Sequence, residues 1–328
     1  MAVQFQKLKT LYIMKILLEK TDEDHLLNAT ELCSILKNTY GIETDRKTIY
    51  NEIDTLKHFG MDIIQKKGTS PGYYVGSRSF ELPELKLLVD AVQSSKFITE
   101  KKSRELIQKL EGLCSKYDAE KLQRQVFIYN RIKTENETIY YNVDQIHTAI
   151  YQNRKVRFQY CEWSAKKELV FRRNGAFYEI SPWALSWDDE NYYLIGFDEE
   201  NAQIKHYRVD KMRQLTIMED ERKGESHFEK FNLAAFAKKV FGMYGGYDST
   251  VTLRCHNSLA GVILDRFGQD VSLIPCDEES FRVKVTVAVS RQFFGWITGI
   301  GQKIEIIGPA DVREEYVDYL AETVKLYR

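Results

Sequence analysis

The 328-residue chain lacks a strong charge of either sign, is poor in proline and has no long apolar segment. Its 47 Lys and Arg nearly balance its 48 Asp and Glu, so any nucleic-acid role requires a local basic surface. Five prolines and no low-complexity tract argue against long disordered segments. No run approaches ~18 uninterrupted apolar residues, so the sequence predicts no membrane span.

Cysteine is also scarce, and no two cysteines form a C-x-x-C pair. The five cysteines are Cys33, Cys114, Cys161, Cys255 and Cys276. An odd number at wide spacing predicts reduced thiols in a cytoplasmic protein rather than a disulfide framework or a zinc site. The N-terminus MAVQFQKLK lacks the apolar core of a signal peptide, and we predict no metal and no cofactor.

The length suggests two or three domains, and the pattern of elements predicts an α+β multidomain protein. The predicted regions are a winged helix-turn-helix DNA-binding domain, a helical connector, a small β-barrel and a C-terminal α/β domain. Their predicted bounds are 1–80, 81–139, 140–222 and 223–328.

Three helices are predicted at the start of the chain. Apolar residues share one face of a helix over 7–19, and Asn28 with Glu31 has the form of a capping box for the second helix. Asp45 is placed to cap a third helix over 46–59. Two short helices joined by a tight break are typical of the helix-turn-helix, whose second helix enters the major groove.

Candidate DNA contacts cluster at the start of the third helix and on the hairpin after it. The short strands 61–65 and 73–76 flank a basic tip, which suits a wing that meets phosphate. The candidate residues are Arg46, Lys47, Thr48, Tyr50, Asn51, Lys66 and Lys67. The alternative is an ordinary three-helix bundle with a solvated basic edge.

The segment Thr48–Leu56, TIYNEIDTL, resembles the second helix of DeoR-type winged helix-turn-helix regulators. The usual Arg-Asp pair of that helix is Asn51-Glu52 in this chain. The resemblance implies binding to a double-stranded DNA operator, with Asn51 able to pair with adenine instead of the usual arginine contact.

Amphipathic helices over 84–94, 99–116 and 119–131 are predicted next. We interpret them as a connector that forms part of a homodimer surface. They fit a helical layer of the following domain as well.

The central region is predicted to be a small antiparallel barrel of the SH3 or Sm type. Asn142 is expected to cap a short helix, and five or six short strands follow from Val156 to Met218. Turn-prone acidic clusters separate aromatic and β-branched runs, a pattern typical of a strand meander.

Two motifs in this region resemble the WYL domain of bacterial transcription regulators. The naming tripeptide appears as Tyr192-Tyr193-Leu194, with Tyr for the usual Trp, and the R-V/L-D-R signature as Arg208-Val209-Asp210-Lys211. The resemblance implies a ligand-sensing domain with a basic and aromatic groove. Lysine at 211 lacks the fork that grips phosphate at two points.

The candidate ligand residues supply charge, stacking and polar edges for a nucleotide or single-stranded nucleic-acid effector. They are Tyr160, Ser181, Tyr193, His206, Arg208 and Lys211. Each has a structural alternative: the two tyrosines as core, Arg208 as a partner of Asp210 or of an acidic turn, and His206 as a structural side chain.

The last hundred residues predict the order β-α-β-β-α-β-α, a ferredoxin-like layout similar to the extension that follows WYL domains. The glycines of Gly295–Gly301 follow a helix rather than precede one, so we interpret them as a helix C-cap and not a phosphate loop. Neighbouring Cys255 and His256 would point to opposite faces of a strand, so we predict no catalytic residues.

The motifs together predict a ligand-responsive, DNA-binding transcription regulator. Two alternatives stay open: a single-stranded nucleic-acid or RNA-binding adaptor that uses the barrel, and a nucleic-acid-processing enzyme. The second would need metal-binding carboxylates or a nucleophile with its base, and the sequence offers no such set.

Overall fold

The computed structural model describes residues 2–68, 70–122, 133–134, 136–188, 190–228, 241 and 246–328. Contacts divide the chain into two units, Met1–Glu137 and Thr138–Arg328. No helix among the described residues is long and apolar enough to cross a membrane.

The first unit begins with three helices and a two-stranded hairpin, the layout of a winged helix. The elements are α1 (Ala2–Lys20), α2 (Ala29–Tyr40), α3 (Arg46–His58), β1 (Ile63–Lys66) and β2 (Gly72–Val75). One fully buried cluster joins them, with Ile16 from α1, Leu32 from α2 and Ile49 from α3. Removing these aliphatic side chains from water is the main force that holds the short helices together.

The predicted helix caps of this unit are confirmed. Asn28 Oδ1 accepts from the amides of Thr30 and Glu31 at 2.9 and 3.0 Å, and Glu31 Oε2 accepts from the Asn28 amide at 2.8 Å. Gly41 has φ 67 and donates to the last carbonyls of α2, a left-handed cap that favours glycine. Asp45 caps α3, and these bonds hold the pKa of its carboxyl below the ordinary value.

Three shorter helices complete the first unit: α4 (Leu82–Ser94), α5 (Glu100–Glu111) and α6 (Lys116–Leu122). The helix predicted over 99–116 is thus shorter, with Thr99 as its cap. The remainder of the helix predicted over 119–131 falls outside the described residues. A polar joint ties α6 to the loop before α2: Ser115 Oγ donates to Asp22 at 2.7 Å, and Tyr117 stacks on His25 at 3.4 Å.

The second unit opens with a helix and a strongly curled sheet. The elements are α7 (Ile139–Tyr151), β3 (Arg154–Trp163), β4 (Leu169–Phe171), β5 (Tyr178–Asp188), β6 (Asn191–Asp198), β7 (Gln203–Arg208) and β8 (Met212–Glu221). The order is β4-β3-β5-β6-β7, and β8 pairs the other edge of β3. Because Val209–Lys211 alone joins β7 to β8, the two ends of the sheet must approach each other.

The cap predicted at Asn142 is wrong. The helix α7 already begins at Ile139, and Asn142 lies within it, 7% exposed. Its Nδ2 donates to the carbonyl oxygen of Met212 at 3.4 Å. The residue satisfies a buried carbonyl at the start of β8 instead of a helix terminus.

Aromatic rings fill the interior of the curled sheet. Phe158 stacks on Tyr178 at 5.7 Å, and Tyr207 meets Phe158 edge-on at 5.3 Å. Gly196 of β6 lets β5 approach closely, since a Cβ there would lie 2.3 Å from Ile180. The packing leaves room for no side chain at this position.

The remainder of the unit follows the predicted order β-α-β-β-α-β-α. After a short α8 (Glu225–Phe228), the elements are β9 (Tyr247–His256), α9 (Ala260–Phe267), β10 (Ile274–Pro275), β11 (Ser280–Val289), α10 (Arg291–Ile300), β12 (Ile304–Gly308) and α11 (Ala310–Lys325). All neighbouring pairs in the sheet order β10-β11-β9-β12 are antiparallel. The strand predicted over 271–276 shortens to two residues. Gly301, with φ 80, caps α10 as predicted.

Candidate nucleic-acid and ligand-binding sites

The first turns of α3 present the predicted DNA-binding side chains to solvent. Arg46, Lys47 and Asn51 are exposed, and the Tyr50 side chain is 45% exposed. Asp45 fixes the end of the helix from which they project. Two cations, a phenol and an amide at a helix N-terminus can meet phosphates and base edges together.

Thr48 is engaged within the helix cap. Its hydroxyl donates to Asp45 Oδ2 at 2.9 Å and its amide donates to Oδ1 at 3.0 Å. The side chain is half-buried. Thr48 therefore supports the start of α3, and its direct contact with DNA stays a prediction.

Asn51 and Glu52, which replace the Arg-Asp pair of the related helices, point in different directions. Asn51 is exposed, whereas Glu52 Oε1 lies 3.3 Å from Lys9 Nζ of α1. Thr10 also donates to the Glu52 carboxylate. The Glu52 carboxylate therefore helps to hold α1 against α3, whereas the Asn51 amide lies on the exposed face of α3.

The hairpin β1–β2 carries Lys66 and Lys67, both exposed. Its base is fixed to the loop before α2, because Leu27 and Tyr73 exchange backbone hydrogen bonds of 3.1 and 2.8 Å. Gly72 allows this approach, since a Cβ there would lie 2.8 Å from Leu26. The lysines thus project from an anchored wing.

In the second unit, strand register brings three predicted ligand residues to one face. Tyr193 pairs with Arg208 across β6 and β7. His206, two residues before Arg208, shares its face because strand side chains alternate. Tyr193 is 9% exposed, so its ring is largely core.

Arg208 is held by neighbouring side chains. Its guanidinium donates to both carboxylate oxygens of Asp210, from Nε at 3.0 Å and from Nη2 at 2.9 Å. The same Nη2 donates to Asn191 Oδ1 at 2.7 Å. The predicted ligand cation is therefore also a brace between β6 and the turn Val209–Lys211.

Tyr160, in the interior of the curled sheet, contacts the backbone of Arg208. Its hydroxyl accepts a hydrogen bond from the Arg208 amide at 3.1 Å, and burial raises the pKa of Tyr160 to about 12. Burial also lowers the pKa of His206 to about 4. The imidazole is consequently neutral at pH 7 and supplies no positive charge to a phosphate.

Ser181 and Lys211 occupy different surroundings. Ser181 is 1% exposed, and its hydroxyl accepts from the Lys223 amide at 2.9 Å. It pairs with Phe197, four residues along β6 from Tyr193, so the sheet does not bring it to Arg208. Lys211 is half-buried at the end of the turn after β7.

The curled sheet also carries a group of stacked arginines that the sequence motifs did not predict. Three arginines place the guanidinium carbon Cζ over an aromatic ring. The distances from Cζ to the ring centroid are 3.9, 5.8 and 4.5 Å. The pairs are Arg157 on Phe177, Arg172 on Tyr160 and Arg173 on Tyr178. We call these six residues the arginine–aromatic strip. Its signal was the run FRRNGAFY, in which adjacent arginines stand between aromatic residues.

The backbone of the strip is unusual at Arg173-Asn174-Gly175. All three residues have positive φ, of 48, 53 and 84°. Asparagine and glycine tolerate this region, but an arginine adopts it only at a cost that surrounding contacts must offset. Here Arg173 Nη1 donates to Glu200 at 3.1 Å, and Gln159 donates to the Gly175 carbonyl at 2.6 Å.

A cavity of about 390 Å³ lies beside the strip. Its lining includes Tyr178, with Lys155 and Arg173 facing the acidic turn after β6. Lys155 pairs with Glu199 at 2.7 Å, and Arg173 pairs with Glu200. These cations are neutralised, so an anionic ligand would have to displace the acidic turn.

The adjacent residues Cys255 and His256 of β9 have different surroundings. Burial raises the pKa of the Cys255 thiol to about 11, while exposed His256 faces Ser258 Oγ at 3.0 Å from Nδ1. Throughout the described ranges, no three His, Cys, Asp or Glu residues are grouped to hold a metal.

In chain order, the protein has an N-terminal winged helix, a curled sheet and an antiparallel sheet with helices, which makes it a mixed α+β protein. Residues 141–217 match the family model of the WYL domain, and residues 247–324 match that of the WCX domain. The chain therefore contains a WYL domain followed by a WCX domain, and the WYL resemblance of its motifs is confirmed. The DeoR-type assignment of the first eighty residues stays a prediction.

Comparison with curated proteins found no match. Two solved structures are similar over nearly the whole chain. Proteasome accessory factor B/C (PafBC) of Arthrobacter aurescens is 15% identical, with 97% of this chain and 48% of that chain covered and a TM-score of 0.28. A CRISPR Cas-related protein is 16% identical, with coverages of 98% and 84% and a TM-score of 0.38. This chain thus spans about half the length of the PafBC chain.

Proposed function

We propose that the chain is a DNA-binding transcription regulator whose WYL domain binds a nucleotide or a single-stranded nucleic acid and thereby changes its affinity for an operator. The observation that carries the proposal is the exposed basic start of α3 in a chain with a WYL domain. A net charge of −1 gives no general attraction to DNA, so this local surface has to supply it.

In DNA binding, charged side chains contact phosphates and other side chains of α3 contact bases. Arg46, Lys47 and the wing lysines neutralise phosphates and set the position of α3 on the duplex. Tyr50 and Asn51 lie within the first two turns of α3, where side chains meet base edges in the major groove. An exposed amide suits the two hydrogen-bonding positions of adenine.

On the sensor side, the arginine–aromatic strip and the Arg208 face provide two kinds of contact. Stacked rings and guanidinium planes accept bases with little sequence preference. Arg208 and Lys211 provide charge for phosphate. The effector must bind two conformations of the protein with different affinities, since equal affinity would change nothing.

The regulator is proposed to act as a homodimer, because two copies place two recognition helices on a two-fold symmetric operator. The expected operator is therefore a pair of half-sites, about one helical turn apart from centre to centre.

Fluorescence anisotropy with duplexes from the DNA upstream of the protein's own gene tests the proposal. We expect sequence-preferring binding whose logarithm falls linearly with the logarithm of salt concentration. Nucleotides and short single strands are then added to the complex. Absence of any sequence-preferring, salt-sensitive binding under all these conditions would refute the proposal.

The arginine–aromatic strip also favours a second candidate, a single-stranded nucleic-acid-binding adaptor. Competition among single-stranded RNA, single-stranded DNA and duplex DNA separates the two functions. Preference for a single strand with no specific duplex binding would favour the adaptor. Nucleotide turnover by the pure protein would instead favour a nucleic-acid-processing enzyme.

A further inference from the structure

The short strand β4 forms one end of the sheet order in the WYL domain and exposes an apolar surface. It pairs with β3 along one side, with Trp163 opposite Leu169. Leu169 and Val170 are each 40% exposed, Phe171 is 46% exposed and Trp163 is 66% exposed. Contiguous apolar side chains on an edge strand are typical of a surface that pairs with another chain.

The extended segment is sharply limited. Lys167 before it has φ 63 and Arg173 after it has φ 48, so the backbone turns away at both ends. The strand itself is Leu169–Phe171, with Val170 at its centre, and Glu168 and Arg172 flank it. A pairing partner for this edge therefore meets a strand of three residues.

We propose that β4 pairs antiparallel with β4 of a second copy of this chain, about a two-fold axis through Val170. The sequence Glu168-Leu169-Val170-Phe171-Arg172 is complementary to itself in this register. Leu169 of one copy then faces Phe171 of the other, and Glu168, just before the strand, lies beside Arg172, just after the strand of the other copy. Opposite charges and apolar pairs directly across two strands stabilise a sheet.

Charge selects a second copy over other strands. An isologous contact uses each complementary pair twice, so one edge supplies two acid–arginine pairs and two apolar pairs. Arg172 Nε donates to Glu162 of its own chain at 2.5 Å. A guanidinium has five N–H donors, so the same side chain has the capacity for a second carboxylate.

The pairing does not depend on DNA or effector binding, and cysteine cross-linking of the full chain tests it separately. The background is Cys276→Ser, which removes the exposed native thiol. Val170→Cys places two thiols at the axis, where cross-strand Cβ atoms are about 4.5–5.5 Å apart. Mild oxidation is expected to give a disulfide-linked dimer in at least tenfold excess over the controls.

Two controls make the register decisive. Val262→Cys replaces a valine of matching exposure, 41%, on α9. Leu169→Cys lies one residue from the axis, so its two copies are too far apart for a disulfide. Cross-linking of Val170→Cys no greater than that of Val262→Cys, or stronger cross-linking of Leu169→Cys, would overturn the proposal.

A second measurement needs no cysteine. Sedimentation velocity at micromolar concentration is expected to show a dimer for the wild type and for Val170→Thr, which retains a β-branched side chain. Glu168→Arg places like charges across the axis and is expected to weaken the dimer at least tenfold. The exchange variant Glu168→Arg with Arg172→Glu should restore the dimer. A monomeric wild type, or charge variants with unchanged association, would contradict β4 pairing.

Discussion

Arg208 holds Asp210 through two parallel hydrogen bonds, from Nε at 3.0 Å and from Nη2 at 2.9 Å. The two residues are the first and third of the signature Arg208-Val209-Asp210-Lys211. A planar guanidinium makes this paired contact and an ammonium does not. In this chain the signature therefore has a structural role inside the fold, besides any role in ligand binding.

Arg208→Lys is expected to lower the free energy of unfolding by ~1–2 kcal/mol. Lysine keeps the positive charge but lacks the planar guanidinium that donates to both carboxylate oxygens of Asp210. Arg208→Ala should lower the free energy of unfolding further. Urea unfolding followed by circular dichroism measures both, with exposed Arg282→Ala as a control expected to change stability by less than ~0.5 kcal/mol. Wild-type stability in Arg208→Ala would show that the contact with Asp210 contributes nothing.

Substitutions of Arg208 and of the arginine–aromatic strip are expected to change different measurements. Arg208→Ala is expected to abolish the change in DNA affinity on effector binding, while duplex binding without effector persists. Arg173→Ala is expected to weaken binding of a labelled single-stranded DNA about tenfold, since stacking and charge disappear together. Arg173→Lys keeps the charge and should lie between. Unchanged binding of the labelled strand by Arg173→Ala would remove the strip from the site.

The operator contacts predict a salt signature. Arg46→Ala and Lys47→Ala should each weaken binding to all duplexes and reduce the slope of log affinity against log salt by about one. Lys57→Ala is the matched control, because it removes an exposed lysine from the last turn of the same helix. A slope that falls equally in Lys57→Ala would show a diffuse charge effect instead of contacts at the start of α3.

The sequence predicted local features best. Asn28 and Asp45 were recognised because caps depend on residues within a few positions of each other. The same rule gave the wrong answer at Asn142. Asparagine is a residue type that often caps helices, but here it donates to the buried carbonyl of Met212, 70 residues away. Burial of Ile139 and Ile146 fixes that helix, and its start cannot be derived from a short window.

Only part of the candidate ligand site could be predicted from the sequence. Tyr193 and Arg208 were found because a family signature marks them, and their pairing follows from the register of neighbouring strands. The arginine–aromatic strip depends on rings from β3 and β5 and on a left-handed arginine. Neither a long-range stack nor a positive φ at a non-glycine residue is encoded in a local pattern.

Stability should fall in mild acid because of His206. Burial lowers its pKa from the ordinary 6.5 to about 4, so between these values the unfolded chain binds a proton that the folded chain does not. Stability present above pH 6.5 is therefore lost as the pH falls toward 4, by at most about 3 kcal/mol. Urea unfolding at pH 7 and 4.5 measures the loss.

His206→Asn is the control for that measurement. It removes the titrating ring, so the difference in unfolding free energy between pH 7 and 4.5 should shrink even if the variant is less stable overall. The Asp198 carboxyl, whose pKa is lowered, acts mainly below this range. An unchanged difference in the variant would assign the acid sensitivity to other groups.

Asn51 and Glu52 are adjacent on α3, yet their substitutions should affect different properties. Asn51→Ala is expected to leave stability within ~0.5 kcal/mol of wild type and to reduce discrimination at one base pair by ~1–3 kcal/mol. Glu52→Gln should destabilise the domain by ~1–3 kcal/mol, because it leaves Lys9, with an 11% exposed side chain, without its anionic partner.

The double variant Lys9→Met with Glu52→Leu tests the second half of this contrast. Replacing both ions removes the unpaired charge, so much of the stability lost in Glu52→Gln should return. Specific DNA binding by the folded double variant should match that of wild type, since neither residue lies on the exposed face of α3. Altered base preference in the double variant, with Asn51→Ala unchanged, would mean that Glu52 and not Asn51 determines the operator.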